Sequence, residues 1–238
     1  MKDLSHNKNN NKWFSGKVLK IIQQHDLIKS GEKVCVGLSG GIDSTVLLFI
    51  LEYIRRFSFL KFELSAIHAQ VYAQNDTSEL KKYCDFLEIE FFDISINKTN
   101  LPVPDKGICY TCSKLKKGAI IEFLTNKEIK KTAFGHHADD LTETLMMNLD
   151  YHHIVETLKP STYLDKNDFT IIRPLLCLTK QEIIKLHSYF DLPTFHINCI
   201  YEEKNRREKY RNLVKNINAD FPDFSKHTAE AFLKSFNV

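Results

Sequence analysis

Three groups of residues in this chain have types and spacings that suit chemistry. The first is Ser39-Gly40-Gly41-Ile42-Asp43-Ser44. Lys33 to Leu38, a short β-prone run, precedes it, and an apolar stretch from Thr45 to Ile54 follows. Two glycines between a strand and a helix let the backbone approach an anion where a Cβ would block it. The N–H groups opening the next helix carry partial positive charge, and Ser39 and Ser44 add hydroxyl donors. Asp43 in such a loop holds a metal or positions the loop, and Mg²⁺ between carboxylate and phosphates is the favoured use. No Lys follows the glycines, so this is not the GxxxxGK[ST] loop. The plainer alternative is an ordinary Gly-Gly turn.

The second group is Gly135-His136-His137-Ala138-Asp139-Asp140, followed by Thr142-Glu143-Thr144. Carboxylates at a strand end facing a phosphate loop can hold Mg²⁺. Asp139 or Asp140 capping the next helix is the alternative. The string does not say which histidine faces the chemistry.

The third group is Cys109 and Cys112, a CxxC pair in a polar loop before the basic start Lys114-Leu115-Lys116-Lys117, with Cys199 far downstream. Three cysteines without an obvious fourth partner suit a cluster with one open iron. A closed zinc site would borrow a fourth ligand such as His196. A redox pair and an inert pair also fit the spacing, which does not choose among the four. Basic neighbours favour thiolates. Cys35, Cys84 and Cys177 sit in apolar strand-like or helical runs and read as small core residues.

The elements that must position these groups alternate. Helices are expected over Trp13 to Ile28, over Thr45 to Ile54, from an Asp76/Glu79 capping box to about Leu87, and over Lys114 to Leu124. Others are expected over Asp139 to Leu149, from a Thr179/Glu182 capping box to about Phe190, and through the basic Asn205 to Phe236. Strands are expected over Lys33 to Leu38, Leu64 to Ala69, Glu90 to Ile96, Lys131 to Gly135, and Thr170 to Leu176, with a loop over 97–111. This order gives an α/β fold with a parallel five-stranded sheet covered on both faces. Ligands of such folds bind beyond the carboxyl ends of the strands, and all three groups fall near such ends. Ala66 and His68, on the second strand, join Gly135 and His136 as candidate nucleotide contacts. A polar tail over 1–12, one domain over 13–200 and a basic helical extension over 201–238 packed on it complete the expected organisation.

Bulk properties narrow the class. The 238 residues are 43% hydrophobic and 26% charged, a globular composition. No stretch approaches the roughly 20 apolar residues of a membrane span. Met1 to Lys12 lacks the apolar centre of a signal peptide, so a cytoplasmic protein is expected, where a CxxC pair points to metal or redox chemistry rather than a staple. The net charge of +3 admits a nucleic-acid partner without demanding one.

The loop Ser39–Ser44 closely resembles the SGGxDS pyrophosphate loop of the N-type ATP pyrophosphatases. GHHADD with the following Glu143 and Thr144 resembles the GHxxDDxxET segment of tRNA-modifying members, including lysidine synthetases and 2-thiocytidine synthetases. CYTCSKLKKG is similar to the CxxCxRLRRG segment of the tRNA 2-thiocytidine synthetase family, and IIRPLLCLTKQEI to its IRPLxxxxEKDI segment. The matches run in order from about residue 14 to 215. Departures are Ile42 for the usual Lys, Glu202 for a fourth cysteine, Ala69-Gln70 for an acidic-amide pair, and Val155 to Pro160 for a Gly/Met/Pro-rich basic loop.

The resemblance implies the pyrophosphatase α/β fold, ATP with Mg²⁺, and a [4Fe–4S] cluster on Cys109, Cys112 and Cys199. It implies that sulfur replaces the C2 oxygen of a tRNA pyrimidine, cytidine first, after adenylation. Asp43, Lys116, Asp139 and Asp140 would carry the catalysis. Lys204, Arg206, Arg207, Lys209 and Arg211 would meet tRNA phosphates, with a solvated charged face as the alternative. A sulfur donor such as a cysteine desulfurase or free sulfide, and a homodimer, are the implied partners. Rival readings are thiolation of a tRNA uridine, a lysidine-synthetase-like ligase, and a non-catalytic zinc-stabilised RNA-binding protein.

Overall fold

The computed structural model describes residues 11–71, 76–96, 108–195 and 206–236 and, of 11, 12, 108–110 and 206, the backbone alone. After a π-helical turn at Asn11–Ser15, helix α1 spans Gly16–Gln24. Strand β1 (Lys33–Gly37), helix α2 (Ile42–Phe57), strand β2 (Glu63–Val71), helix α3 (Ser78–Phe86) and strand β3 (Glu90–Ile96) follow. Then come α4 (Ile108–Asn126), β4 (Lys131–Ala133), α5 (Ala138–Tyr151), β5 (Ser161–Leu164), β6 (Phe169–Ile172), α6 (Lys180–Tyr189), α7 (Arg206–Asp220) and α8 (Phe224–Ser235).

The sheet runs β3-β2-β1-β4-β6-β5. All its pairs are parallel except β5 with β6. The expected five strands are therefore six. Ser161–Leu164 escapes a sequence reading because four half-exposed residues carry no clean alternation. A 3-10 turn at Asp165–Asn167 and a left-handed Asp168 (φ 47°) fold it back onto β6. The last parallel strand stops at Ile172 rather than Leu176. Pro174 has no N–H for a ladder and opens a 3-10 turn, Pro174–Cys177.

Helix α2 is buried from Ser44 to Ile54, as its all-round apolar sequence requires. It begins earlier than the apolar run, so Ile42, Asp43 and Ser44 form its first turn. Helix α4 also begins early and contains the CxxC pair, which was expected in a loop. Nothing from Ile108 to Leu115 opposes helix. The capping box expected at α3 does not form: Thr77 is the N-cap and makes no side-chain cap bond, Asp76 accepts the Ser78 N–H at 2.9 Å, and Glu79 turns to Lys82. The box at α6 is complete, with Thr179 Oγ1 taking the Glu182 N–H and Glu182 taking the Thr179 N–H. The C-terminal helical stretch divides at Pro222, where Asp223 is left-handed (φ 67°).

One large core joins α1, α2, α3 and α6 to the sheet and reaches Ala229 and Leu233 of α8. A smaller one packs Ile120, Ile121 and Leu124 of α4 against Cys35, Ile67 and Ile171 on the other face. Burial pushes the Cys35 and Cys84 thiols up to about 12, in keeping with core residues. Among the described residues no helix is long and apolar enough to cross a membrane.

Candidate active site

The parallel order brings the carboxyl ends of β2, β1, β4 and β6 side by side, and the chemical residues gather above them. Leaving β1, the chain bends at Gly40, whose φ of +86° suits glycine. The loop is tied to itself. Ser44 Oγ donates to the Gly41 carbonyl at 2.9 Å and accepts the Ser39 N–H at 3.1 Å. With its one proton so used, Ser44 Oγ accepts from Ser39 Oγ, 3.1 Å away. Gly41 caps α2 without a side chain, so the first-turn N–H groups of α2 have no side-chain cap.

Gly135, just beyond β4, touches this loop. A Cβ there would stand 2.9 Å from both the carbonyl carbon and oxygen of Asp43 and 3.1 Å from the Ser44 nitrogen. His68 lies on the β2 side, its Nδ1 2.7 Å from the Leu38 carbonyl. That bond makes Nδ1 the protonated nitrogen. Nε2 is left as an acceptor, buried and without a partner. Burial lowers the His68 pKa. Ala66 is fully buried within β2 and does not line the cleft; Ala69 stands there with His68.

The paired histidines and aspartates divide between two tasks. His136 lines the cleft, and its Nδ1 is buried without a partner. Burial depresses its pKa to about 4, although Asp140 opposes this. His137 caps α5, accepting the Asp140 N–H at 3.4 Å, and Asp140 Oδ2 takes the His137 N–H at 3.1 Å. Asp139 turns aside to the Lys180 N–H at 2.7 Å and to Asn218 Nδ2 at 3.1 Å. Asp140 lines the cleft and receives Arg207 at 2.9 Å. Capping of the next helix, the alternative open to these carboxylates, is part of what Asp140 does, while Asp139 meets the start of α6 instead.

Asp43 Oδ1 is bonded by Lys180 Nζ at 2.5 Å. Glu143, buried beneath, pairs with Arg207 Nε at 3.2 Å and Arg211 Nε at 3.5 Å. Burial, with Asp140 beside it, raises the Glu143 pKa against the pull of those arginines.

Together these residues wall a cleft of about 700 Å³. The phosphate loop forms one side. Helix α4 faces it with Cys112, Lys116 and Lys117, and Arg173, Arg207 and Arg211 close the far side. Arg207 and Arg211, expected on an RNA surface, reach this cleft, whereas Lys209 and Lys215 are exposed on α7. Arg206 opens α7. Cys199 and Lys204 lie outside the described residues, as does the side chain of Cys109. Arg173, Lys117 and Lys180 were not singled out from sequence. The RP pair at a strand end and the Lys after a capping Thr were the available signals.

Two groups of donors suit metals. Asp43 Oδ1 and Asp140 Oδ2 lie 3.9 and 3.3 Å from the same nitrogen, His137 Nε2, so two carboxylates of the kind that hold Mg²⁺ stand in one neighbourhood. Cys109 and Cys112 occupy positions i and i+3 of α4, one face of a helix. Among the described residues no three His, Cys, Asp or Glu side chains form a closed metal cage.

A family model described as the PP-loop domain matches residues 10–217. A tRNA-cytidine(32) 2-sulfurtransferase from Coxiella burnetii is 31% identical over 212 residues, covering 86% of this chain and 82% of its own. One from Pelobacter propionicus is 26% identical over 228 residues, covering 92% and 82%. The solved structure of the U34-tRNA thiolase NcsA from Methanococcus maripaludis with its [4Fe-4S] cluster superposes with a TM-score of 0.77 at 21% identity. It covers 95% of this chain and 80% of its own, which establishes the shared fold.

Proposed function

This chain belongs to the PP-loop domain family, in the group of the tRNA-cytidine(32) 2-sulfurtransferases, and from that premise we propose that it makes 2-thiocytidine in tRNA. As a member it is a tRNA sulfurtransferase. The observation that carries the finer reading is the single cleft with the phosphate loop on one wall and Cys112 and Lys116 on the other.

ATP lies with its phosphates on Ser39–Ser44 and its nucleoside toward His68 and Ala69. The C2 oxygen of the target pyrimidine attacks the α-phosphate and pyrophosphate leaves, so the oxygen departs later as part of AMP. A sulfide equivalent then takes its place at C2. Asp43 and Asp140 would hold Mg²⁺, which neutralises phosphate charge when bound. Cys109, Cys112 and Cys199 would hold a [4Fe–4S] cluster, which supplies sulfur carriage and Lewis acidity when bound. Lys116 stands one helical turn beyond Cys112 and stabilises negative charge on the departing oxygen. His136, held neutral by burial, donates or accepts a hydrogen bond without adding charge. Asp139 supports the site indirectly by fixing the start of α6, from which Lys180 reaches Asp43. The exposed Lys209 and Lys215 of α7 meet tRNA phosphates outside the cleft, and Arg211 does so at its rim.

The test is nucleoside mass spectrometry of bulk tRNA from cells with and without the gene, grown anaerobically. The expected result is loss of 2-thiocytidine, restored by the gene but not by Cys109→Ala. Loss of a thiolated uridine instead would move the same chemistry to that base. No change in any nucleoside would defeat the tRNA reading.

A further inference from the structure

Arg173 is a buried cation without an anion. The residue is 9% exposed. Its Nη1 donates to the Lys159 carbonyl at 2.8 Å and to Thr162 Oγ1 at 3.0 Å, while its buried Nε has no partner. Burial alone acts on its charge and lowers its pKa to about 10, with no acidic neighbour opposing it. Three other cations around the phosphate loop are matched: Lys180 with Asp43, Arg207 with Asp140 and Glu143, Arg211 with Glu143. Arg173 instead stands near a second cation, Lys117, whose pKa is lowered by burial and by Arg173. Both line the cleft. A buried guanidinium facing another cation is unfavourable until an anion joins them.

The position of this pair indicates which anion. Arg173 follows β6, and β6 lies beyond β4 from β1. Two strand spacings place it about 10 Å across the sheet from the strand that feeds the phosphate loop. The nucleoside end of ATP points the other way, over β2, on the functional reading given above, on which this inference rests. The β6 side is left for the acceptor. We propose that Arg173 and Lys117 form a second anion seat in the cleft that holds a phosphodiester of the RNA beside the target nucleotide. A planar guanidinium suits two phosphodiester oxygens. The seat would make the enzyme act on a nucleotide within a polymer and reject a free nucleoside.

The test uses the full-length protein, with tRNA binding followed by fluorescence anisotropy at several salt concentrations and ATP binding by calorimetry. Lys117→Gln and Arg173→Gln are each compared with the unaltered chain, and circular dichroism checks folding. The expected result is tRNA affinity about tenfold weaker, with the slope of log affinity against log salt reduced by about one, and ATP affinity unchanged. Lys117 is half-buried in α4 and its variant still reads the seat if Arg173→Gln fails to fold. Weakened ATP binding with unchanged tRNA binding would assign the anion to the ATP phosphates and overturn the proposal. Unchanged binding of both would reduce Arg173 to a pin for the 159–162 segment, equally against it. If the unaltered chain binds no tRNA, the functional reading falls and the seat falls with it. If that chain binds tRNA and the variants match it, only the seat falls.

Discussion

At the scale of single residues the site depends on a missing Cβ and on one histidine. Gly135 must be glycine because its neighbour is the Asp43 backbone, which cannot swing aside as a flexible side chain would. Gly135→Ala is expected to destabilise the fold by about 1–3 kcal/mol and to weaken ATP binding by displacing the loop. Chemical denaturation and calorimetric titration with ATP would measure the two effects. Burial opposes a charge on His137, but Asp139, Asp140 and Asp43 outweigh it and raise its pKa above 6.5. A raised histidine contributes its stability fully below 6.5, and that contribution fades as pH climbs through the folded value. Asp139 and Asp140 behave oppositely. Burial works against their charge, His137 chiefly outweighs it, and their pKa values fall below 3.8. Their contribution is present above 3.8 and is lost only as pH falls through the lower folded values. Urea unfolding of the unaltered chain should therefore show stability declining as pH rises above 6.5. His137→Asn keeps a capping side chain but should remove that decline. A decline that persists unchanged would assign it to another group.

At the scale of elements, helix starts do much of the positioning. The Thr179–Glu182 box fixes the first turn of α6, which holds Lys180 over Asp43 and donates its Lys180 N–H to Asp139. Thr179→Ala should destabilise the protein by about 1 kcal/mol, a fall of about 2–4 °C in Tm for a chain this long, visible by scanning calorimetry. A larger fall would mean that the lost cap also frees Asp139 and Lys180. Helix α4 shows a different kind of positioning. Its period places Cys109, Cys112 and Lys116 on successive turns, and the Cys112 thiol and the Lys116 ammonium both line the cleft. These residues were expected partly in a loop, and their helical setting is what directs Cys112 and Lys116 to one side.

At the scale of the molecule, the C-terminal helices are bound into the main core. Val214 and Tyr210 of α7 and Ala229 and Leu233 of α8 are buried, and both helices pack on α5, whose first residues form the site. Leu233→Ala should destabilise by about 2–5 kcal/mol, toward the lower end because the side chain is not fully enclosed. Scanning calorimetry should show the whole transition moving down. A separate early transition confined to α7 and α8 would instead make them an independently folding unit. The coupling gives Arg207 its role: a residue 64 positions from Glu143 in sequence is hydrogen-bonded to it.

The sequence by itself determined the alternation of strands and helices, the glycine loop, the buried α2 and the complete capping box. Each depends on contacts within a few residues, where periodicity and turn chemistry act. It identified the pairs His136-His137 and Asp139-Asp140 without dividing them, because both members of each pair have the same chemistry and adjacent places in the chain. Only the packing of α5 against α6 and α7 turned Asp139 to Lys180 and Asn218 and left Asp140 to the cleft. The antiparallel β5 and the meeting of Arg173 with Lys117 were decided at the same level. Their partners lie far apart along the chain, and the burial that strips Arg173 of solvent exists only once the sheet has assembled.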